Sequence, residues 1–281
     1  MPRISYVNGR YIPHDEAVVH IEDRGYQFAD AVYEVVPILH GRLLHLEQHL
    51  DRLGRSLAAL EIAPPASRRV LPVIMAQVVQ RNRIQQGLVY LQISRGSAPR
   101  NHLHPKDMVS TLVVTAMKNL GVSDETVARG IAVISQPDIR WLLPQIKSVA
   151  LLPNAMAKQQ AVKHGAADAW LIRDNGLVTE ATAANAFILR QDGVLQTHPD
   201  DGGILPGVTR LNVLDLARQM GLTVEEKPFT LKDAKAAREA FQTGTTVMVL
   251  PVTKIDDTPI LDGKPGPVSL ELRRRYLELR A

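Results

Sequence analysis

Four short turn signals constrain how this chain pairs its strands. Asn8-Gly9 separates ISYV from RYIP, and Gly41 separates AVYEVVPIL from LLHL. Asp174-Asn175-Gly176 lies inside Trp170–Val178, and Asp192-Gly193 lies inside Phe187–Leu195. Asn-Gly tolerates positive φ at both central positions of a type I′ turn, so each such signal commits its flanks to a hairpin. Strand segments outnumber helical ones and many connections are hairpins. The pattern therefore argues an α+β fold with mixed sheets.

Helical periodicity fills the gaps between these strands. Leu46, Leu50, Leu53, Leu57 and Leu60 recur at spacings of four and three, which makes one apolar stripe on an amphipathic helix. Further helices are expected from about Ala66 to Arg83, over Asn154–His164, over Thr209–Met220 before Gly221, and over Val268–Arg280. Strands are expected at Leu88–Ser94, Thr111–Met117 and Ile131–Ser135. The polar run KNLGVSDET at 118–126 reads as a boundary. It divides the chain into a smaller domain, 1–117, a linker, 118–123, and a larger domain, 124–281.

Composition removes whole classes of function. The 281 residues are 45% hydrophobic and 22% charged, which rules out wholesale disorder. Aromatics are 4%, so the core is aliphatic. With no cysteine, disulfides, thiolate zinc, iron–sulfur clusters and a cysteine nucleophile are excluded, and a reducing cytoplasm fits. The net charge of +4 is spread among interleaved acids, which argues against a nucleic-acid tail or a membrane patch. No apolar run is long enough to span a bilayer.

Lys147 stands apart from the other lysines, because WLLPQIKSVALLPN surrounds it with apolar residues. Such surroundings disfavour the ammonium form, so the amine becomes a usable nucleophile that can join a carbonyl. The alternative is a lysine snorkelling at a strand end. Gly207-Val208-Thr209 opens a helix, where free N–H groups and the dipole favour an anion, although most such caps bind nothing. Thr243-Gly244-Thr245-Thr246 offers a second candidate anion site before a strand. Arg52 lies roughly on the polar side of its helix. Glu180 ends a hairpin strand and is followed by small residues, where something flat could approach. Arg95, Arg100, His102 and His104 share one loop. They suit a carboxylate better than a metal, and no metal is expected.

EDRGYQFADAVYEV (22–35), HLDRL (49–53), SRGSAPRNH (94–102), DIRWLLPQIKS (138–148), LVTEATAAN (177–185), GILPGVTR (203–210) and TGTT (243–246) occur in order along nearly the whole chain. In these segments the chain resembles the class IV pyridoxal-phosphate aminotransferases, and within them the D-amino acid aminotransferases of the D-alanine type. The subtype rests on EDRGYQF, RGSAPRNH and DIRW. Branched-chain L-amino acid aminotransferases and aminodeoxychorismate lyase share the scaffold.

The resemblance implies a two-domain fold type IV enzyme. Its pyridoxal 5′-phosphate would sit between the domains, and the larger domain would carry pseudo-barrel sheets. Lys147 matches the lysine that joins the cofactor and shuttles the α-proton. Glu180 matches the acid on the pyridine nitrogen, and Arg52 the arginine on the phosphate. Val208, Thr209 and Thr245 match the rest of the phosphate cup, and Leu205 matches the leucine against the ring. Tyr33, Arg100 and His102 match the trio that binds the substrate α-carboxylate, with Arg100 and His102 supplied across a homodimer interface. Two departures stand out. Ala181-Thr182-Ala183-Ala184-Asn185 replaces a serine-rich run, and Gly244 stands where serine is common. Thr182 is expected to supply one of the missing hydroxyls.

Overall fold

The computed structural model describes residues 3–118 and 121–279. By its internal contacts the chain forms two units, Met1–Leu120 with Ile146–Ala150, and Gly121–Gln145 with Leu151–Ala281. Asn119 and Leu120 of the expected linker, and Arg280 of the expected last helix, lie outside the described residues.

Among the described residues the first unit is a six-stranded antiparallel sheet with three α-helices. The strands are β1 (Ile4–Val7), β2 (Arg10–Pro13), β3 (Ala31–Leu39), β4 (Arg42–Leu43), β5 (Gln86–Ser94) and β6 (Thr111–Lys118). The sheet order is β2-β1-β6-β5-β3-β4. The helices are α1 (Arg24–Phe28), α2 (Leu46–Ala59) and α3 (Val70–Arg81). The β1–β2 hairpin turns through Asn8 at φ 44° and Gly9 at φ 93°, as its dipeptide requires. The third helix starts at Val70 rather than Ala66, because Pro64-Pro65 and the turn after them delay it.

Along β3 successive side chains alternate between faces. Val32, Glu34, Val36 and Ile38 are buried, and Glu34 meets His49 and Arg52 of α2. Tyr33 therefore points the other way. The short β4 pairs only with Ile38 and Leu39, which leaves the first half of β3 with an open edge. Ile146–Ala150 closes it. Tyr33 N donates to Lys147 O at 3.0 Å, and Val149 N donates to Ala31 O at 3.1 Å. A covered edge removes a template for unwanted pairing. It also fixes residue 147 against β3.

The second unit holds a mixed ten-stranded sheet. Its elements are α4 (Asp124–Arg129), β7 (Ile131–Pro137), α5 (Leu152–Lys163), β8 (Asp168–Ile172), β9 (Leu177–Ala181), β10 (Asn185–Leu189) and β11 (Leu195–Thr197). Then come α6 (Val208–Gln219), β12 (Val224–Glu226), β13 (Phe229–Thr230), α7 (Leu231–Lys235), β14 (Glu239–Gly244), β15 (Met248–Ile255), β16 (Thr258–Pro259) and α8 (Pro267–Glu278). The order is β12-β11-β10-β14-β15-β7-β8-β9-β13, with β16 beside β15. The pairs β7–β8, β7–β15 and β11–β12 are parallel, so the α+β fold with mixed pairing expected from the sequence is observed. The aliphatic core expected from the composition forms around Val133, Ile188, Val252 and Ile255, with Trp170 and Phe229 among the few rings. Among the described residues no helix is long and apolar enough to cross a membrane.

Candidate active site

In the first unit the candidate lysine is half-buried, and its backbone is tied on both sides. Lys147 N donates to Ser56 Oγ of α2 at 3.1 Å, and Lys147 O accepts from Tyr33. Its Nζ lies 4.3 Å from the centroid of the Tyr33 ring, a cation–π distance. Tyr33 in turn stacks on Tyr90 at 5.6 Å. The structure thus brings together Lys147 and Tyr33, two residues that sequence spacing alone does not connect.

Arg52 is not on a solvated helix face; it is 3% exposed. His49, Arg52 and Ser56 form a second buried stripe beside the leucines of α2, and Glu34 makes this burial tolerable. Arg52 Nε donates to Glu34 Oε1 at 2.8 Å and Nη2 donates to Oε2 at 2.7 Å, a two-pronged grip. Burial opposes the Glu34 carboxylate, but Arg52 and His49 outweigh it and hold the carboxyl down at about 2. Glu34 therefore stays ionised, and His49 Nδ1 must carry the proton in its 2.7 Å bond to Oε2. Burial pushes the His49 imidazole below its usual value, against the pull of Glu34.

Arg100 and His102 are exposed and surround Phe28. The Arg100 guanidinium lies 4.7 Å from the ring centroid, and the His102 ring lies 5.6 Å from it. Arg24 holds the loop they sit on: Nη1 donates to Asn101 O at 2.6 Å and Nη2 to His102 O at 3.3 Å, while Nε is paired with Asp30. Arg24 has no periodicity or charge pattern to mark it in sequence.

In the second unit Glu180 is the penultimate residue of β9, at 5% exposure. Its carboxylate is gripped by Arg140, by Asn185 Nδ2 at 3.0 Å and by Leu205 N at 3.3 and 3.4 Å. Burial pushes the Glu180 carboxyl up, and Arg140 and the Leu205 N–H pull against it. Asp138 anchors Arg140 from behind at 2.7 Å; burial raises and Arg140 lowers its carboxyl, with a net fall. Asn185 is a hub that sequence reasoning passed over. It also donates to Leu205 O at 2.9 Å, and so couples the acid to the loop before α6.

Val208 and Thr209 form the first turn of α6, at 4% and 3% exposure, and Gly207 precedes them with no side chain capping the helix. A Cβ at Gly207 would sit 2.1 Å from Asn185 Oδ1, so only glycine allows this approach. Gly207→Ala is expected to push Asn185 off Glu180 and Leu205. It should cost about 1–3 kcal/mol in denaturant unfolding, because overpacking is not relieved by a rigid backbone. Thr245 is half-buried in the turn between β14 and β15. Thr243 is buried with its hydroxyl oxygen unpartnered. The Thr182 hydroxyl does not supply the cup. It donates to buried Asp168 Oδ1 at 2.5 Å, a carboxylate that also takes Gln242 Nε2 at 2.9 Å.

Pyridoxal phosphate requires an anion cradle, a carboxylate for its ring nitrogen and a reactive amine. In the second unit the uncapped start of α6 suits the first of these and buried Glu180 the second; in the first unit edge-anchored Lys147 suits the third.

A family model described as amino-transferase class IV matches residues 31–255. Over 274 residues the chain is 40% identical to a D-alanine aminotransferase of Listeria innocua, spanning 97% of this chain and 94% of that protein. Over 262 residues it is 41% identical to a D-alanine aminotransferase of Bacillus licheniformis, spanning 93% and 92%. Among solved structures, the branched-chain amino acid aminotransferase from Thermobaculum terrenum, in its PLP holo-form, aligns with a TM-score of 0.87 at 26% identity, covering 99% of this chain and 94% of that one. The same segments that carry Lys147, Glu180 and the start of α6 lie inside the matched region, and this chain belongs to the class IV aminotransferases.

Proposed function

We propose that this protein transfers an amino group between a D-amino acid, of the D-alanine and D-glutamate type, and a 2-oxo acid. The observation that carries this reading is the 40–41% identity to D-alanine aminotransferases across nearly the full length of both partners. Pyridoxal 5′-phosphate, when bound, supplies an electron sink for negative charge developing at the substrate α-carbon.

The chain's own residues do the rest. Lys147 carries the reactive amine; it would hold the cofactor at its aldehyde and would accept the substrate α-proton at Nζ. Its backbone ties to Tyr33 and Ser56 keep that amine over one face of the Tyr33 ring. Glu180 would pair with the ring nitrogen as a carboxylate, the form that Arg140 and the Leu205 N–H favour against burial. Leu205, whose N–H is fixed by the same carboxylate, would pack against the ring. Arg52, Val208, Thr209 and Thr245 would hold the phosphate, with Glu34 keeping the Arg52 guanidinium in one orientation.

Tyr33, with Arg100 and His102 contributed across a homodimer interface, binds the substrate α-carboxylate. The exposure of Arg100 and His102 in the single chain supports that assignment. Fixing the carboxylate on one side decides which enantiomer presents its α-hydrogen to Lys147. The cysteine-free composition supports a cytoplasmic enzyme.

The solved structure quoted above is a branched-chain aminotransferase, so a branched-chain L-specific reading shares the scaffold. Donor preference separates the two. With 2-oxoglutarate as acceptor, D-alanine should turn over at least about a hundredfold faster than L-isoleucine, because the wrong enantiomer leaves buried polar groups unpaired. Faster turnover of L-isoleucine would overturn the D-specific reading and leave the class IV assignment standing.

A further inference from the structure

The two threonines proposed to hold the phosphate sit on separate elements, Thr209 in the first turn of α6 and Thr245 in the turn after β14. One further element of the second unit reaches both. We propose that the C-terminal helix α8 is the positioning element of the phosphate cup, with Tyr276 setting the hydroxyl of Thr209 and Arg273 setting the turn that carries Thr245. This rests on the phosphate role assigned above to those threonines.

The helix is registered to the strand that leads into Thr245. Glu239, at the start of β14, is 3% exposed and caps α8: Oε1 accepts from Val268 N at 3.0 Å and Oε2 accepts from Ser269 N at 2.9 Å. A Cβ at Gly266 would lie 1.9 Å from the Glu239 side chain, so the helix start closes directly onto that carboxylate. Leu272, at 0% exposure, packs the helix into the cluster with Val213, Leu214 and Phe241.

Arg273 is 7% exposed, and its Nη1 donates to Val247 O and Val249 O at 2.9 Å each. These carbonyls flank Met248, which has a left-handed φ of 61°. A bulky residue is strained in that region and persists there only where its neighbours over-determine it. The guanidinium is one such constraint, beside the pairing of Met248 with Gly244. By holding both carbonyls it fixes where the 245–247 turn enters β15.

Tyr276 is 2% exposed, and its hydroxyl lies 3.4 Å from Thr209 Oγ1. A threonine hydroxyl has one hydrogen. With the phenol donating to an Oγ1 lone pair, the Thr209 hydrogen is directed elsewhere, and an anion at the start of α6 is the acceptor it suits. Tyr276 and Arg273 do not touch the anion; they aim the groups that do.

The test compares full-length wild type, Tyr276→Phe and Arg273→Lys after removal of cofactor. Pyridoxamine 5′-phosphate and pyridoxamine are titrated separately, with the quenching of tryptophan fluorescence as the readout, and Tm is measured alongside. Tyr276→Phe is expected to weaken pyridoxamine 5′-phosphate about five- to tenfold while pyridoxamine binding and Tm stay at wild-type values. Arg273→Lys should narrow the affinity ratio of the two ligands in the same direction, whatever it does to Tm. An unchanged ratio in Tyr276→Phe, or equal losses for both ligands, would overturn the proposal. A wild type that fails to prefer the phosphorylated ligand would instead bring down the phosphate role of Thr209 and Thr245, and this proposal with it.

Discussion

Lys147→Ala should abolish transamination while leaving the fold intact. The expected fall in kcat/KM exceeds about 10⁴-fold, because the substitution removes both the nucleophile that anchors the cofactor and the base that moves the α-proton. The fold should survive for a reason visible in the first unit. What fixes residue 147 is its backbone, through Ser56 Oγ and Tyr33 N, and alanine keeps both bonds. The side chain contributes its approach to the Tyr33 ring, which is worth about 0.5–2 kcal/mol. Stopped assays for 2-oxo acid formation from D-alanine, with Tm as the control, decide the matter. Activity near wild type would remove Lys147 from the chemistry. Reduction of wild type with borohydride should fix the cofactor on the one peptide that contains this lysine.

Glu34→Gln should be the most destabilising of the conservative substitutions in the first unit. Glutamine keeps the shape and removes the charge, so Arg52 is left as a buried cation without its carboxylate. Breaking a buried pair in this way costs about 3–5 kcal/mol, several times a surface ion pair. The carboxyl is held down at about 2 in the fold against an ordinary value of 4.5. Its contribution to stability is therefore complete above about pH 4.5 and is lost as pH falls towards 2. Urea titrations of wild type and variant should differ by that amount at neutral pH and converge in acid. Curves that remain parallel down to pH 2 would assign the stability to packing rather than to the ionised pair.

Local chemistry makes much of the fold legible. Asn8-Gly9 and Gly41 name their hairpins because positive φ is a property of the residues in the turn itself. The leucine stripe of α2 is equally plain, since periodicity is written in the helix it describes. The candidate site divides along the same line. Lys147 can be singled out from its apolar flanks, and the start of α6 from Gly207 and Thr209. Their assignment as parts of one chemistry comes from ordered motifs and not from spacing. What stays hidden is each residue's partner. Arg52 reads as a surface arginine because Glu34, eighteen positions away, announces no contact with it. Asn185 and Arg140 converge on Glu180 from different stretches of chain, and nothing local marks the convergence. Thr182 looks available to the phosphate because Asp168, the acceptor of its hydroxyl, is likewise distant in sequence.

The return of Ile146–Ala150 to the first unit has a consequence for anyone recombining such enzymes. A nascent chain that has emerged as far as residue 120 still lacks the piece that closes β3, and that piece arrives only after second-unit sequence has begun. A chimera spliced once near residue 120 would take Lys147 from one parent, and the Tyr33 and Ser56 that seat it from the other. Two crossovers, or matched substitutions around 146–150, are needed to keep the amine and its seat of common descent.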